Sequence, residues 1–364
     1  MAHDADHVWR LPGTVIGGDM RLSSPANAAT MAPSVKNRLR RIVNRAPEAV
    51  VRLTGRTRGG AAHLKAHLDY VTRNGRLVAE TQDGQRITDR ASLRRLHDDW
   101  MLANLAQQRG HSGPNAAQSV AFILSMPPGT SADRVEAAAR AWARETFRDS
   151  HDWLMARHDD TSHPHVHVTV RAVGRNGRRL APGPGELQQW RERFARELRY
   201  LGVEAEATPR QARGIVAKSR PMAGLKQAQR GVTSRFQKLQ EQAMTADARA
   251  PAATPPNPWS RAIQVRQDAI RRAYLTHAEV LSNGNEVDRR LARDIHRFVA
   301  AMPIPLTRRQ ALVVELRQVL QRKSAGPVPS ADLPGLAEEK APKPRSRTLQ
   351  RPGPLPSPDR SRGR

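Results

Sequence analysis

Hydrophobic and polar positions change period several times along the chain, and each change marks an element. Residues 1–33 show no period and read as a loose arm, followed by a short basic helix, VKNRLRRIVNRA, at 35–46. AVVRLT at 49–54 has the run of a strand, and the glycines of GRTRGG are expected to break it before a helix at 61–74. That helix carries Leu64, Leu68 and Val71 on one stripe and ends at a cap signal, Asn74-Gly75. Residues 76–81 extend again, 90–108 return to helical spacing, and AQSVAFILSMP from 117 is a strong strand. After T-S-A-D, apolar Val135, Ala139 and Trp142 repeat at helical spacing to about Phe147. Two extended segments follow, 153–157 and 165–173, close enough to form an antiparallel hairpin. In the second, His165, His167 and Thr169 alternate with Val166, Val168 and Val170, the period of a half-buried strand. A helix at 185–201 and a short strand near 202–206 close the unit.

Mixed strands and helices with a hairpin predict an α+β layered fold. The expected organisation is a basic N-terminal arm with a short helix at 1–47 and the α+β domain at 48–222. A helical accessory region follows at 223–323, interrupted by the proline-rich linker APAATPPNP at 250–258, and then a disordered Pro/Arg-rich tail at 324–364.

Composition adds a partner to this outline. The 364 residues hold 61 Lys+Arg against 34 Asp+Glu, a formal charge of +27, and 38% of them are apolar. Such a surface invites a polyanion, because each neutralised phosphate releases counterions. The absence of cysteine excludes disulfides, Cys-ligated metal sites and a thiol nucleophile. The apolar run at 120–126 is far short of the ~20 residues of a membrane span, and the opening MAHDADHVWRLPG lacks the core of a signal peptide. A cytoplasmic, nucleic-acid-binding protein is the expectation.

The candidate chemistry is concentrated in R-H-D-D-T-S-H-P-H-V-H-V-T-V at 157–170. On a strand, His165 and His167 point the same way and can share one ion, and His158 can add a third ligand across the hairpin turn. Three neutral imidazoles would leave a divalent ion its full charge and open positions for phosphate oxygens. Asp160 is a candidate to hold an imidazole tautomer, and His163 is either a fourth ligand or a turn residue. H-E-x-x-H is absent, which removes the helix-borne zinc protease. A phosphodiester also needs a nucleophile, and the chain has three tyrosines, Tyr70, Tyr200 and Tyr274. Tyr70, in H-L-D-Y-V-T-R-N-G, shares a stripe with His63 and His67 one residue off the apolar stripe, so it should face out of the core. A free phenol titrates near ~10, and Asp69, His67, Arg73 or the metal could activate it. By itself the residue reads more readily as an ordinary surface tyrosine of an amphipathic helix than as a nucleophile.

Together, H-L-D-Y-V-T-R-N-G and H-D-D-T-S-H-P-H-V-H-V-T-V resemble the DNA relaxases of plasmid conjugation and T-DNA transfer. These form the mobilisation-nuclease branch of the His-hydrophobe-His (HUH) endonucleases, and the likeness is strongest to the Vir-type T-DNA border relaxases. There Tyr-Leu-Ser-Arg-Lys-Gly takes the part of Tyr70–Gly75 and His-x-Asp-x-x-His-Pro-His-x-His that of 158–167. The likeness continues through SMPPGTSADRVEAAARAWARETF, R-Q-A-R-G-I at 210–215 and R-P-M at 220–222, covering roughly 48–225. It implies a central antiparallel sheet flanked by helices, with the HUH strand in its middle. It also implies a reaction: Tyr70 attacks a scissile phosphate at an origin of transfer, giving a 5′-phosphotyrosine and a free 3′-hydroxyl, reversibly. His158, His165 and His167 would hold the metal, magnesium or manganese with zinc as the alternative, and Asp160 would assist. Arg56, Arg58, Arg73, Arg171 and Arg213 are the candidate DNA contacts; Arg171 stands where relatives often carry Asn. Implied partners are single-stranded DNA, relaxosome accessory proteins and a type IV secretion coupling protein. The arginine-rich tail would serve as a translocation signal that carries the protein with its DNA into a recipient, or merely as added DNA affinity. A non-catalytic DNA-binding accessory protein and a rolling-circle replication initiator are the competing readings. Initiators usually place the tyrosine after the HUH motif, whereas Tyr70 precedes it.

Overall fold

A computed structural model of the chain describes residues 28–29, 31–107, 113, 115–215, 235–249 and 258–324. R-P-M at 220–222, most of the arm and linker, and the tail beyond Ser324 lie outside the described residues. The centre is a six-stranded antiparallel sheet, in spatial order β1-β4-β6-β5-β2-β3. The strands are β1 (Val50–Arg58), β2 (Ala79–Thr81), β3 (Arg86–Ile87), β4 (Ala117–Ser125), β5 (Trp153–His158) and β6 (His165–Arg171). The β5–β6 hairpin forms as the alternation predicts, with His158 opposite His165 and Ala156 opposite His167.

Each strand's alternation is set by what covers its two faces. Val166, Val168 and Val170 join Phe122, Leu124 and Met155 in a fully buried core under α4 (Ala132–Phe147) and α5 (Pro184–Tyr200). Phe122, Trp142, Phe147 and Trp190 meet there edge to face with ring centres 5.4–6.3 Å apart. The Trp142 indole N–H donates to the Trp190 carbonyl at 3.0 Å, so this large ring is buried without an orphaned donor. Helix α4 starts where the sequence says, Ser131 accepting from the Arg134 N–H as its N-cap.

The opposite face carries the histidines. Helices α2 (Gly60–Val71) and α3 (Arg90–Gln107) cover its β5 side through Leu64, Leu68, Val71, Leu93 and Trp100, packed on Leu154 and Ala156. Two sequence expectations change here. Strand β1 does not stop at the GRTRGG glycines but continues to Arg58, absorbing Gly55 through a register shift after Leu53. The strand expected at 202–206 is reduced to one bridge, between Glu48 and Glu206.

Helix α1 (Pro33–Val43) does not pack on the sheet's main core. Its Leu39 and Ile42 enter a second core with α7 (Pro258–Ser282) and α8 (Glu286–Ala300), alongside Tyr274, Ile295 and Phe298. Lys36 pairs with the buried Asp288 at 2.8 Å across this unit. Helices α6 (Arg235–Arg249) and α9 (Arg308–Ser324) pack on each other, with Arg309 bonded to Asp247 at 2.6 Å. Among the described residues no helix is long and apolar enough to cross a membrane.

Candidate active site

The site begins with the way α2 ends. Arg73, Asn74 and Gly75 all adopt positive φ, 52°, 59° and 76°, and that left-handed stretch stops the helix at Val71. A Cβ on Gly75 would lie 2.9 Å from the Asp89 backbone, so this position requires glycine. A terminated helix leaves its last carbonyls without intrahelical partners. One of these, Val71 C=O, accepts the Nε2–H of His158 at 2.7 Å, so the end of the helix that carries Tyr70 orients an imidazole of the sheet.

The three sequence-predicted histidines come together. Ring centres of His158 and His167 are 4.2 Å apart, and His165 lies 5.6 and 5.4 Å from them. One ligand nitrogen from each falls within 4.8 Å of the others. His165 Nδ1–H donates to the His163 carbonyl at 3.0 Å, leaving Nε2 with its lone pair, as the Val71 bond leaves Nδ1 of His158. Burial holds His158 below the ordinary histidine range. Burial, with the neighbouring His158, His165 and His67, pushes His167 down to about 3. His158 and His167 are therefore neutral at physiological pH, with lone pairs to give. The donor set and its fixed tautomers fit a divalent ion with imidazole affinity.

The remaining predicted residues divide. Tyr70 is 56% exposed, its ring centre 5.9 Å from His167 and 6.3 Å from His158. The Arg73 guanidinium lies 5.6 Å from the Tyr70 ring centre and pairs with Asp160. Asp160 does not hold a tautomer, a duty taken by the two backbone carbonyls. It stands 3.6 Å from His165 Nε2, on the ligand side. His163 gives its carbonyl, and its ring is not part of the cluster. Of the other groups considered for activating the phenol, His67 bonds Thr169 beside the cluster at 2.9 Å, whereas Asp69 is tied to Lys65. Tyr274 is fully buried, donates to the Ala212 carbonyl, and is shifted upward by burial, which removes it as a nucleophile.

The candidate DNA contacts scatter. Arg56 and Arg58 line a cleft of about 390 Å³ with Arg179 at the end of the sheet away from the histidines. Arg213 sits in a short 3₁₀ turn 3.4 Å from Glu48, its charge facing that carboxylate. Arg171 has no exposed surface. Its guanidinium donates to Asp152 at 2.7 Å and Gln107 at 2.6 Å, so it serves the fold where a phosphate contact was expected. Sequence reading passed over Arg52 and Arg179. Arg52 was legible as an arginine on a predicted strand, but only the strand register shows which face it takes.

Residues 70–200 match the family model of the MobA/VirD2-like relaxase nuclease domain. The T-DNA border endonuclease VirD2 of Rhizobium radiobacter is 28% identical over 164 residues, 41% of this chain and 38% of that protein. Its namesake from Rhizobium rhizogenes is 32% identical over 114 residues, 28% of this chain and 26% of that protein. The chain thus matches well under half the length of either relative. Motif order, the histidine face of an antiparallel sheet and these matches agree: the sheet domain is similar to the MobA/VirD2-like relaxase nucleases, and the matches support a Vir-type relaxase of the HUH superfamily.

Proposed function

We propose that the chain nicks one DNA strand at an origin of transfer and rejoins it, acting as a metal-dependent tyrosine transesterase that initiates conjugative or mobile-element transfer. The observation that carries this reading is the exposed Tyr70 ring standing over His158 and His167. The phenol oxygen attacks the scissile phosphorus, the new bond replaces the P–O3′ bond, and the leaving 3′ oxygen takes up a proton. The phosphotyrosine conserves the phosphodiester's energy, so the same groups run the reaction backwards. Arg73, against the ring and anchored by Asp160, keeps the Tyr70 side chain aimed. His158, His165 and His167 would hold the divalent ion, magnesium, manganese or zinc, which when bound supplies Lewis-acid polarisation of the phosphate.

On this reading the nuclease unit occupies 48–222, with the arm before it and the helical region 223–323 and tail after it. Those outer parts are the candidates for meeting accessory proteins and a secretion coupling protein. The enzyme would act in the bacterial cytoplasm and travel with its DNA. The test uses single-stranded oligonucleotides tiling the DNA upstream of the gene, incubated with Mg²⁺ or Mn²⁺ and run on denaturing gels. An adduct lost with EDTA and with Tyr70→Phe supports the reading. Cleavage that survives Tyr70→Phe moves the nucleophile elsewhere, and binding with no adduct on any oligonucleotide favours an accessory role.

A further inference from the structure

Strand register places side chains in rows across the histidine face. His158 and His165 continue through Ser125 to Val50, and His167 continues through Ile123 to Arg52. The next rows are Thr169–Ala121–Gly55 and Arg171–Ser119–Thr57. Cover thins along β4 toward the histidines: Ser119 is fully buried, Ala121 nearly so, and Ile123 and Ser125 are half open although β4 is an interior strand. At the sheet edge Val50 is 39% exposed and Arg52 is exposed. Val50, Arg52, Ile123 and Ser125 therefore form an open shelf that starts at the metal-ligand candidates and ends at a cation. No acid or carbonyl among the described residues pairs with Arg52, whereas Arg38, Arg41, Arg140, Arg157 and Arg196 are each tied to a glutamate or aspartate. Two strand spacings put the Arg52 backbone roughly 10 Å from that of His167, within reach of a phosphate next to the one under Tyr70.

We propose that this shelf is a nucleotide subsite flanking the cut. Arg52 grips the adjacent phosphate of a single strand, and the base of that nucleotide lies against Val50 and Ile123. The inference rests on the reading of the chain as a single-strand DNA enzyme. Charge complementarity and continuity with the tyrosine–histidine cluster choose the occupant. An apolar floor with one free guanidinium suits an unstacked nucleotide better than a duplex, whose bases are covered.

The test is fluorescence anisotropy of the full chain with a labelled single-stranded oligodeoxynucleotide of mixed sequence, titrated across salt in EDTA so that no strand is cut. Arg52→Ala should weaken binding roughly tenfold and lower the salt slope by about 0.7, the signature of one lost single-strand phosphate contact. Arg52→Lys should keep the slope, and Val50→Glu should weaken binding by placing a carboxylate on the shelf. Arg86→Ala removes the same charge at the opposite sheet edge and should change affinity little. If Arg52→Ala and Arg86→Ala behave alike, the subsite is overturned and the basic surface acts as a diffuse field. Binding in EDTA does not depend on chemistry, so an Arg52 effect in a protein that forms no tyrosine adduct would sink the proposed reaction and leave the shelf standing.

Discussion

Tyr70 is held at the last turn of a helix whose terminal carbonyl orients His158, so the candidate nucleophile and a metal-ligand candidate share one support. Tyr70→Phe should abolish covalent DNA adducts while leaving oligonucleotide affinity within about twofold, because the phenyl ring keeps its packing and loses one hydroxyl. His167→Ala should reduce affinity for Mn²⁺, read by calorimetry, by at least about a hundredfold, with no loss of secondary structure by circular dichroism. The histidine cluster was legible because its spacing has chemical meaning on a strand, whereas Tyr70 stood out only through the resemblance of its segment and the histidine run together. Arg171 was misread because an arginine beside a motif looks the same in sequence whether it faces solvent or, as here, is buried against the carboxylate of half-buried Asp152. Losing that guanidinium in Arg171→Leu leaves Asp152 short of a partner, softened by Arg175 at 3.0 Å. The expected cost is about 3 kcal/mol of unfolding free energy by denaturant titration.

Elements followed local rules where those rules were strong. Helix α4 begins at its serine cap, and Ser131→Ala should cost about 1 kcal/mol, visible as a lowered Tm. Helix α2 ends at Val71, three residues short of the expected 74, because Arg73, ahead of the Asn-Gly signal, already adopts the left-handed conformation. Strand β1 escaped prediction in its second half. Glycine normally weakens a strand, but here pairing to β4 is strong enough to carry the chain through Gly55 with a local shift in register.

At the scale of the molecule, the sheet and the helical unit meet through a buried polar junction. Glu48 accepts from the Thr208 N–H at 2.8 Å and faces Arg213, and Glu206 accepts from Arg41 at 2.8 Å. Burial, partly offset by Arg213, raises Glu48 from the ordinary glutamate range to about 7. The folded state therefore binds this proton more tightly than the unfolded chain does. Stability from this group is full below the ordinary carboxylate range and is lost as pH rises toward 7. Glu48→Gln should thus raise Tm relative to the parent above pH 7, with the difference vanishing in acid, as thermal melts across pH would show.

What the sequence determined by itself was local: the period of each strand and helix, the caps, the choice of residues able to bind a metal or attack a phosphate, and the sign of the charge. These depend on neighbours a few positions away, and the chain carries them in its spacing. The tertiary structure decided everything that depends on register and cover. Pairing β6 between β4 and β5 put three imidazoles on one face. The end of α2 brought Tyr70 over them, and the thinning cover along β4 left Arg52 open while burying Arg171. Those outcomes depend on which strands become neighbours and which helices lie over them, so no short window of sequence contains them.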